Sequence, residues 1–198
     1  MGTVVLVGFM GAGKTTVGRT LASGLDVPFH DLDEDLERSF RLSIPEVFAR
    51  FGEPAFRRAE TEALRRVTGS GRAVIASGGG AFCSAPNREL LRRAGAVSVF
   101  LDVPWSVLAR RLVGTEGSRP MLDSATASLE LYRRRLPHYR KADLIVPVGA
   151  SDTPDAVADR IRPGSAAALL LIEHTWATPF RDAVARAGWL ATTFRTNS

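Results

Sequence analysis

Residues 8–15 read Gly8-Phe9-Met10-Gly11-Ala12-Gly13-Lys14-Thr15, a complete G-x-x-x-x-G-K-[ST] loop. No other feature of the 198-residue chain constrains its surroundings as much. Such a loop cradles an anion only when a strand enters it and a helix leaves it. Both flanks are present. Thr3–Val7 is a β-branched run that predicts a buried strand, and Lys14–Ser23 carries Val17 and Leu21 at helical spacing before Gly24. The glycines let successive backbone N–H groups of residues 11–16 (Gly11, Ala12, Gly13, Lys14, Thr15, Thr16) turn toward a phosphate, and the helix dipole adds to their pull. Lys14 is placed to reach the β- and γ-phosphates, and the Thr15 hydroxyl to bind Mg²⁺. Only Lys14 and Lys141 are lysines among the 26 cationic side chains. A lysine kept in an arginine-rich chain marks a place that needs a compact point charge. The loop points to a nucleoside triphosphate site and leaves open what is done with the phosphate.

The rest of the chain alternates short apolar runs with longer amphipathic ones. Strands are predicted at Val27–Leu32, Ala73–Ala76, Ala96–Val103 and Leu144–Val148. Ser43-Ile44-Pro45-Glu46 reads as a capping box opening a helix that stops at Gly52, and a second helix follows at Pro54–Val67. Further helices are predicted at Pro86–Arg93, Pro104–Val113 and Pro154–Ile161, and at Thr126–Lys141 with an interruption near Pro137. Alternating strands and helices imply an α/β fold with a parallel sheet, covered by helices on both faces and binding ligands at the carboxyl ends of its strands. The pattern ends near Arg162. Pro163-Gly164-Ser165 reads as a linker, so the chain divides into a domain at 1–162 and an extension at 163–198 to which the sequence assigns no role.

Composition narrows the class. Hydrophobic residues make up 45% and charged residues 24%, which excludes a disordered or collagen-like chain. The single cysteine, Cys83, fits a reducing compartment. No segment reaches the ~18 apolar residues of a membrane helix, and Met1–Gly8 lacks a signal peptide's basic start and cleavage site. The expectation is a soluble, cytoplasmic monomer with no membrane partner. The net charge of +5 comes from arginines in scattered pairs rather than one basic stripe, so nucleic acid is not indicated either. Guanidinium forks suit small carboxylates and phosphates instead.

Asp31 and Asp33 follow the second predicted strand, and an i, i+2 pair at a strand end puts two carboxylates on one side. A phosphotransferase needs two such groups. One holds the metal, and the other accepts a hydrogen bond from the attacking hydroxyl. Glu34 and Asp35 fit the acidic first turn of the next helix instead. Gly78-Gly79-Gly80 directly follows a strand and leaves room for a ligand. Asp102, closing a strand like a Walker B element, competes with Asp31 as metal ligand. Arg57 and Arg135 stand on helices with no nearby acidic run that would occupy both, and an acidic substrate would explain them. Arg119 follows the glycine-bearing loop Gly114–Ser118, which is suited to close over a nucleotide, where it would stabilise charge on the transferred phosphoryl group.

Taken together these residues resemble the shikimate kinases. The family's phosphate loop is matched by Gly8–Thr15, its Asp-x-Asp element by Asp31-Leu32-Asp33, and its Phe-Arg-x-x-Glu element by Phe56-Arg57-Arg58-Ala59-Glu60. Its glycine triplet is matched by Ser77-Gly78-Gly79-Gly80, its lid by Arg119-Pro120-Met121-Leu122, and its Arg-x-Pro-x-Tyr element by Arg135-Leu136-Pro137-His138-Tyr139. Met121 stands where leucine is usual, a volume-conserving change. The resemblance implies a P-loop kinase similar to the nucleoside monophosphate kinases, with a five-stranded parallel sheet, a lid at about 114–123, and phosphorylation of the 3-hydroxyl of shikimate by ATP with Mg²⁺, in the pathway to chorismate and the aromatic amino acids. By match, Asp33 would contact the shikimate hydroxyls as candidate base, beside Lys14 and Arg119 as the other catalytic groups. Arg57, Arg135 and the triplet Gly78, Gly79 and Gly80 would hold the substrate. Thr15 and Asp31 would serve Mg²⁺. Arg119 would close on the ATP phosphates, and Arg110 or Arg111 would lie against adenine, with Arg111 the choice.

Two rivals remain at this level. A kinase for gluconate or a nucleotide would share the loop, and gluconate also carries a carboxylate for the arginines. A nucleotide-dependent switch would share it too, although the chain has no N-K-x-D guanine-reading motif.

Overall fold

The computed structural model describes residues 2–113 and 125–162. The expected lid at 114–123, with Arg119, and the extension at 163–198 lie outside the described residues. Five parallel strands form one sheet: β1 (Val4–Val7), β2 (Phe29–Asp31), β3 (Val74–Ala76), β4 (Val97–Asp102) and β5 (Leu144–Pro147), in the order β2-β3-β1-β4-β5. The helices are α1 (Lys14–Leu25), α2 (Leu32–Phe40), α3 (Ile44–Gly69), α4 (Ala85–Arg93), α5 (Trp105–Leu112), α6 (Ala125–Tyr139) and α7 (Pro154–Ile161), with a short 3₁₀ turn at Ala81–Cys83.

The sheet's centre is dry. All four residues of β1 and all three of β3 are buried, as expected of strands covered on both faces. Each such Val or Leu contributes about 1.5–3 kcal/mol of burial free energy. Register then positions the site. Leu6 of β1 pairs with Ala76 of β3, and Ala76 pairs with Asp31 of β2. The phosphate loop, the glycine triplet and the Asp31 segment therefore all emerge at one edge of the sheet. Ser77 fastens that edge, donating from its backbone N–H and its hydroxyl to the Leu6 carbonyl at 3.0 and 2.9 Å.

Three local expectations need correction. Helix α1 passes through Gly24 and ends in a left-handed cap at Asp26 (φ 51°). Leu32 is not strand but the first residue of α2, because Asp31 caps that helix. Helix α6 runs through Pro137 and ends two residues later at Tyr139; the proline removes the N–H that would bond the carbonyl of Arg133, and the helix stops within that turn. The break at Gly52 is as the sequence suggests. Its φ of 74° and ψ of 165° split α3 into arms at 44–51 and 53–69. Only glycine takes that φ without strain.

Candidate active site

The site begins with α1's unsatisfied first turn. Its N-cap is Gly13, left-handed at φ 89°, and no side chain caps the helix, so its leading N–H groups remain available to an anion. Gly11 also has positive φ, 77°, which turns the loop back on itself. Lys14 Nζ donates to the carbonyls of Gly8 (3.0 Å) and Phe9 (3.1 Å), which holds the ammonium over the loop.

Asp31 joins three elements. Its Oδ2 accepts from the Thr15 hydroxyl at 2.6 Å, and its Oδ1 accepts from the N–H groups of Asp33 (3.1 Å) and Glu34 (3.4 Å). Asp31 and Asp33 do come together, but not through strand alternation. Asp33 stands in the first turn of α2, and the cap made by Asp31 fixes its direction. Burial pushes the Asp33 carboxyl above the ordinary carboxylate value; the Lys14 charge opposes this, while Asp31 and Glu37 reinforce it.

Arg57 also differs from expectation. It does have acidic partners, one turn away on either side. Its guanidinium donates to Glu53 (3.2 and 3.1 Å) and to Glu60 (2.9 Å). Burial works against its charge, but Glu60 and Glu53 outweigh that and hold it firmly protonated. Glu60 is only 1% exposed, and its Oε1 is buried with no hydrogen-bond partner among the described residues. Burial raises its pKa, with the Arg57 charge pulling the other way.

The triplet is where these groups meet. A Cβ on Gly78 would lie 2.7 Å from Asp33 Oδ1 and 2.7 Å from Glu60 Oε1. On Gly79 it would lie 3.3 Å from Arg135 Nη1, and on Gly80 2.6 Å from Arg57 Nη1. The three glycines are thus the clearance for four side chains, Asp33, Glu60, Arg135 and Arg57. Asn87 braces this region: its Nδ2 donates to the Ala81 carbonyl (3.0 Å), and the Thr61 hydroxyl of α3 lies 2.8 Å from its Oδ1.

One cavity of about 730 Å³ spans the arrangement. Its lining takes in the loop, Asp31, Asp33, Arg57, Arg135, Gly79 and Gly80, whereas Gly78 stands behind. Arg111 borders the cavity and donates to the Gly11 carbonyl (3.1 Å). Arg110 instead turns to the Ser106 carbonyl (3.3 Å), and Asp102 is not among the lining residues. Sequence reasoning gave no role to Glu60, to the tilted aromatic pair Phe48 and Phe56 (ring centroids 4.7 Å apart), or to Asp152 and Pro154, which also line the cavity. For Glu60 a signal existed, since an i, i+3 spacing from Arg57 puts the two on one helix face. Asp152 and Pro154 carry no local signal.

No cluster of three His, Cys, Asp or Glu side chains suited to a metal occurs among the described residues. Thr15 and Asp31 supply one hydroxyl and one carboxylate beside the phosphate cradle. That hard-oxygen set fits a Mg²⁺ held mainly by nucleotide oxygens and water.

Comparison with known proteins points to a family shared by the family model, the sequence relatives and the solved structures that follow. The family model for shikimate kinase matches residues 10–163. The shikimate kinase of Cereibacter sphaeroides is 44% identical over 163 residues, covering 81% of this chain and 80% of that protein. The solved structure of a shikimate kinase from Acinetobacter baumannii in complex with shikimate superposes with a TM-score of 0.72 at 32% identity, covering 90% of this chain and 94% of that one. The shikimate kinase from Aquifex aeolicus gives a TM-score of 0.71 at 32% identity, covering 88% and 98%.

Proposed function

The chain belongs to the shikimate kinase family, and from that premise we propose how its own residues divide the work. The protein is a kinase that phosphorylates shikimate with ATP, on the 3-hydroxyl, in aromatic amino acid biosynthesis. The observation that carries the residue assignment is the single cavity in which the phosphate loop faces Asp33, Arg57 and Arg135.

In this reading the N–H groups of Gly11 and of residues 13–16, with the Lys14 ammonium, hold the ATP phosphates and Arg111 stands beside them, while the Ala12 N–H donates to the Phe9 carbonyl (3.2 Å). Arg119 belongs to the same set as the lid's contribution. Arg57 and Arg135 take the shikimate carboxylate, and Gly79 and Gly80 let the ring approach the backbone. Asp33 accepts a hydrogen bond from the attacking hydroxyl and is the candidate for its proton. Thr15 and Asp31 would hold Mg²⁺. When bound, that ion would supply neutralisation of charge developing on the transferred phosphoryl group. Little covalent work falls on the protein, so positioning and fixed charge supply the rate. Glu60 and Glu53 keep Arg57 charged and aimed, which matters because a half-buried guanidinium left unpaired loses solvation without recompense.

The same reading makes the enzyme a cytoplasmic monomer acting on two small molecules, without nucleic acid or membrane. The lone Cys83 fits the reducing compartment that this reading requires. Among the described residues no helix is long and apolar enough to cross a membrane. Calorimetric titration of wild type and Arg57→Ala with shikimate and with Mg·ADP tests the assignment. Shikimate binding should weaken at least ~10-fold while ADP binding stays within ~2-fold; equal loss of both would contradict it.

A further inference from the structure

Tyr139 closes the Arg-x-Pro-x-Tyr element, and the reaction as described leaves it without a task. Its side chain is fully buried. The ring stacks on Phe100 of β4, with centroids 5.4 Å apart and planes at 30°. Its hydroxyl donates to the carbonyl of Gly79. The Arg135 guanidinium, four residues earlier on the same face of α6, converges on the same glycine: a Cβ on Gly79 would lie 3.3 Å from Arg135 Nη1, and the Arg135 charge acts on the Tyr139 hydroxyl.

Resting on the carboxylate-site reading above, we propose that Tyr139 is a positioning residue for recognition of the acceptor's carboxylate. Its hydroxyl ties the Arg135 guanidinium to the backbone of Gly79, so that two substrate contacts move as one. The chemistry suits the task. A phenol has one proton, which goes to the carbonyl, and lone pairs, one of which can take a guanidinium N–H. Burial holds the phenol well above its ordinary pKa, so it stays neutral and can keep donating. Arg135 is only 8% exposed, and a buried guanidinium has few ways to be aimed except through such bonds. One N–H given to Tyr139 would orient the planar fork without exhausting its donors. The stack on Phe100 anchors the device to the sheet.

Tyr139→Phe keeps the ring and removes only the hydroxyl. The KM for shikimate should rise ~10-fold, with kcat within ~3-fold and the KM for ATP unchanged. The preference for shikimate over its methyl ester, taken as a ratio of kcat/KM values, should fall ~10-fold. That ratio does not depend on how much of the sample is folded, so a merely structural role would not move it. Arg135→Ala is the control. If it leaves the ester preference intact, the carboxylate-site reading fails and the proposal falls with it. If Arg135→Ala abolishes the preference and Tyr139→Phe does not, the Tyr139 proposal alone is overturned. A second measurement needs no folding of Tyr139→Phe. The chain has two tyrosines, so labelling with 3-fluorotyrosine gives two fluorine resonances, assigned through Tyr132→Phe. The Tyr139 resonance should shift on adding shikimate and not on adding Mg·ADP; a resonance unmoved by saturating shikimate overturns the proposal.

Discussion

Replacing Gly78 by alanine should damage the chemistry while sparing the fold and the nucleotide site. Gly78 is not among the residues with positive φ, so the backbone accepts a side chain without strain. The trouble is space. The new Cβ would stand 2.7 Å from both Asp33 Oδ1 and Glu60 Oε1, against 3.4 Å or more for ordinary contact. Something must give by about 0.7 Å. Glu60 is buried and tied to Arg57 at 2.9 Å, which leaves it little room. Asp33, at the first turn of α2, is the group that retreats. A misplacement near 1 Å can cost ~10²-fold in rate, so a displacement of this size predicts a fall in kcat of ~10–100-fold, or about 1.4–2.7 kcal/mol of transition-state stabilisation. Steady-state kinetics with shikimate varied, beside a melting curve and Mg·ADP titration on the same sample, would read it. ADP affinity should stay within ~2-fold of wild type. A Gly78→Ala enzyme with kcat and shikimate KM both within ~3-fold of wild type would refute the clearance argument.

Other outcomes follow from the same geometry. Asp33→Asn should lower kcat by ~10²-fold or more with ADP binding unchanged, measured by ADP release; a near-normal kcat removes Asp33 from the chemistry. Glu60→Gln should alter the pH dependence of stability. Burial raises the folded Glu60 above its ordinary 4.5, so between 4.5 and that raised value the folded state binds more protons than the unfolded chain. Unfolding free energy therefore falls as pH rises through this window. In Glu60→Gln that fall should flatten, as seen by urea denaturation across a pH series from 4 upward; an unchanged profile would deny Glu60 its raised pKa.

Legibility in the sequence tracked how local each feature is. The phosphate loop is contiguous and its backbone conformation follows from Gly11 and Gly13, so loop, entering strand and leaving helix could all be read together. Strand and helix alternation likewise predicted a parallel sheet. Asp31 and Asp33 do lie side by side, but not for the reason that their spacing on a strand offers. An N-cap, not the strand's two-residue period, brings them together. The ion pairs of Arg57 do not show as an acidic run; they lie at helical spacing, with Glu53 and Glu60 at i−4 and i+3. The triplet's purpose could not be read at all, since each glycine clears space for a side chain far away in sequence: Asp33 and Glu60 at Gly78, Arg135 at Gly79, Arg57 at Gly80. Asp152 and Pro154 line the cavity where the start of α7, packed on α1, approaches the phosphate loop.

The most direct measurement is ADP release from Mg·ATP with shikimate, quinate, gluconate or no acceptor in parallel. The account predicts turnover that depends strongly on shikimate and falls to background with gluconate or no acceptor. Slow ADP release indifferent to the acceptor, or turnover that follows gluconate, would contradict the assignment of Asp33, Arg57 and Arg135 to a shikimate site.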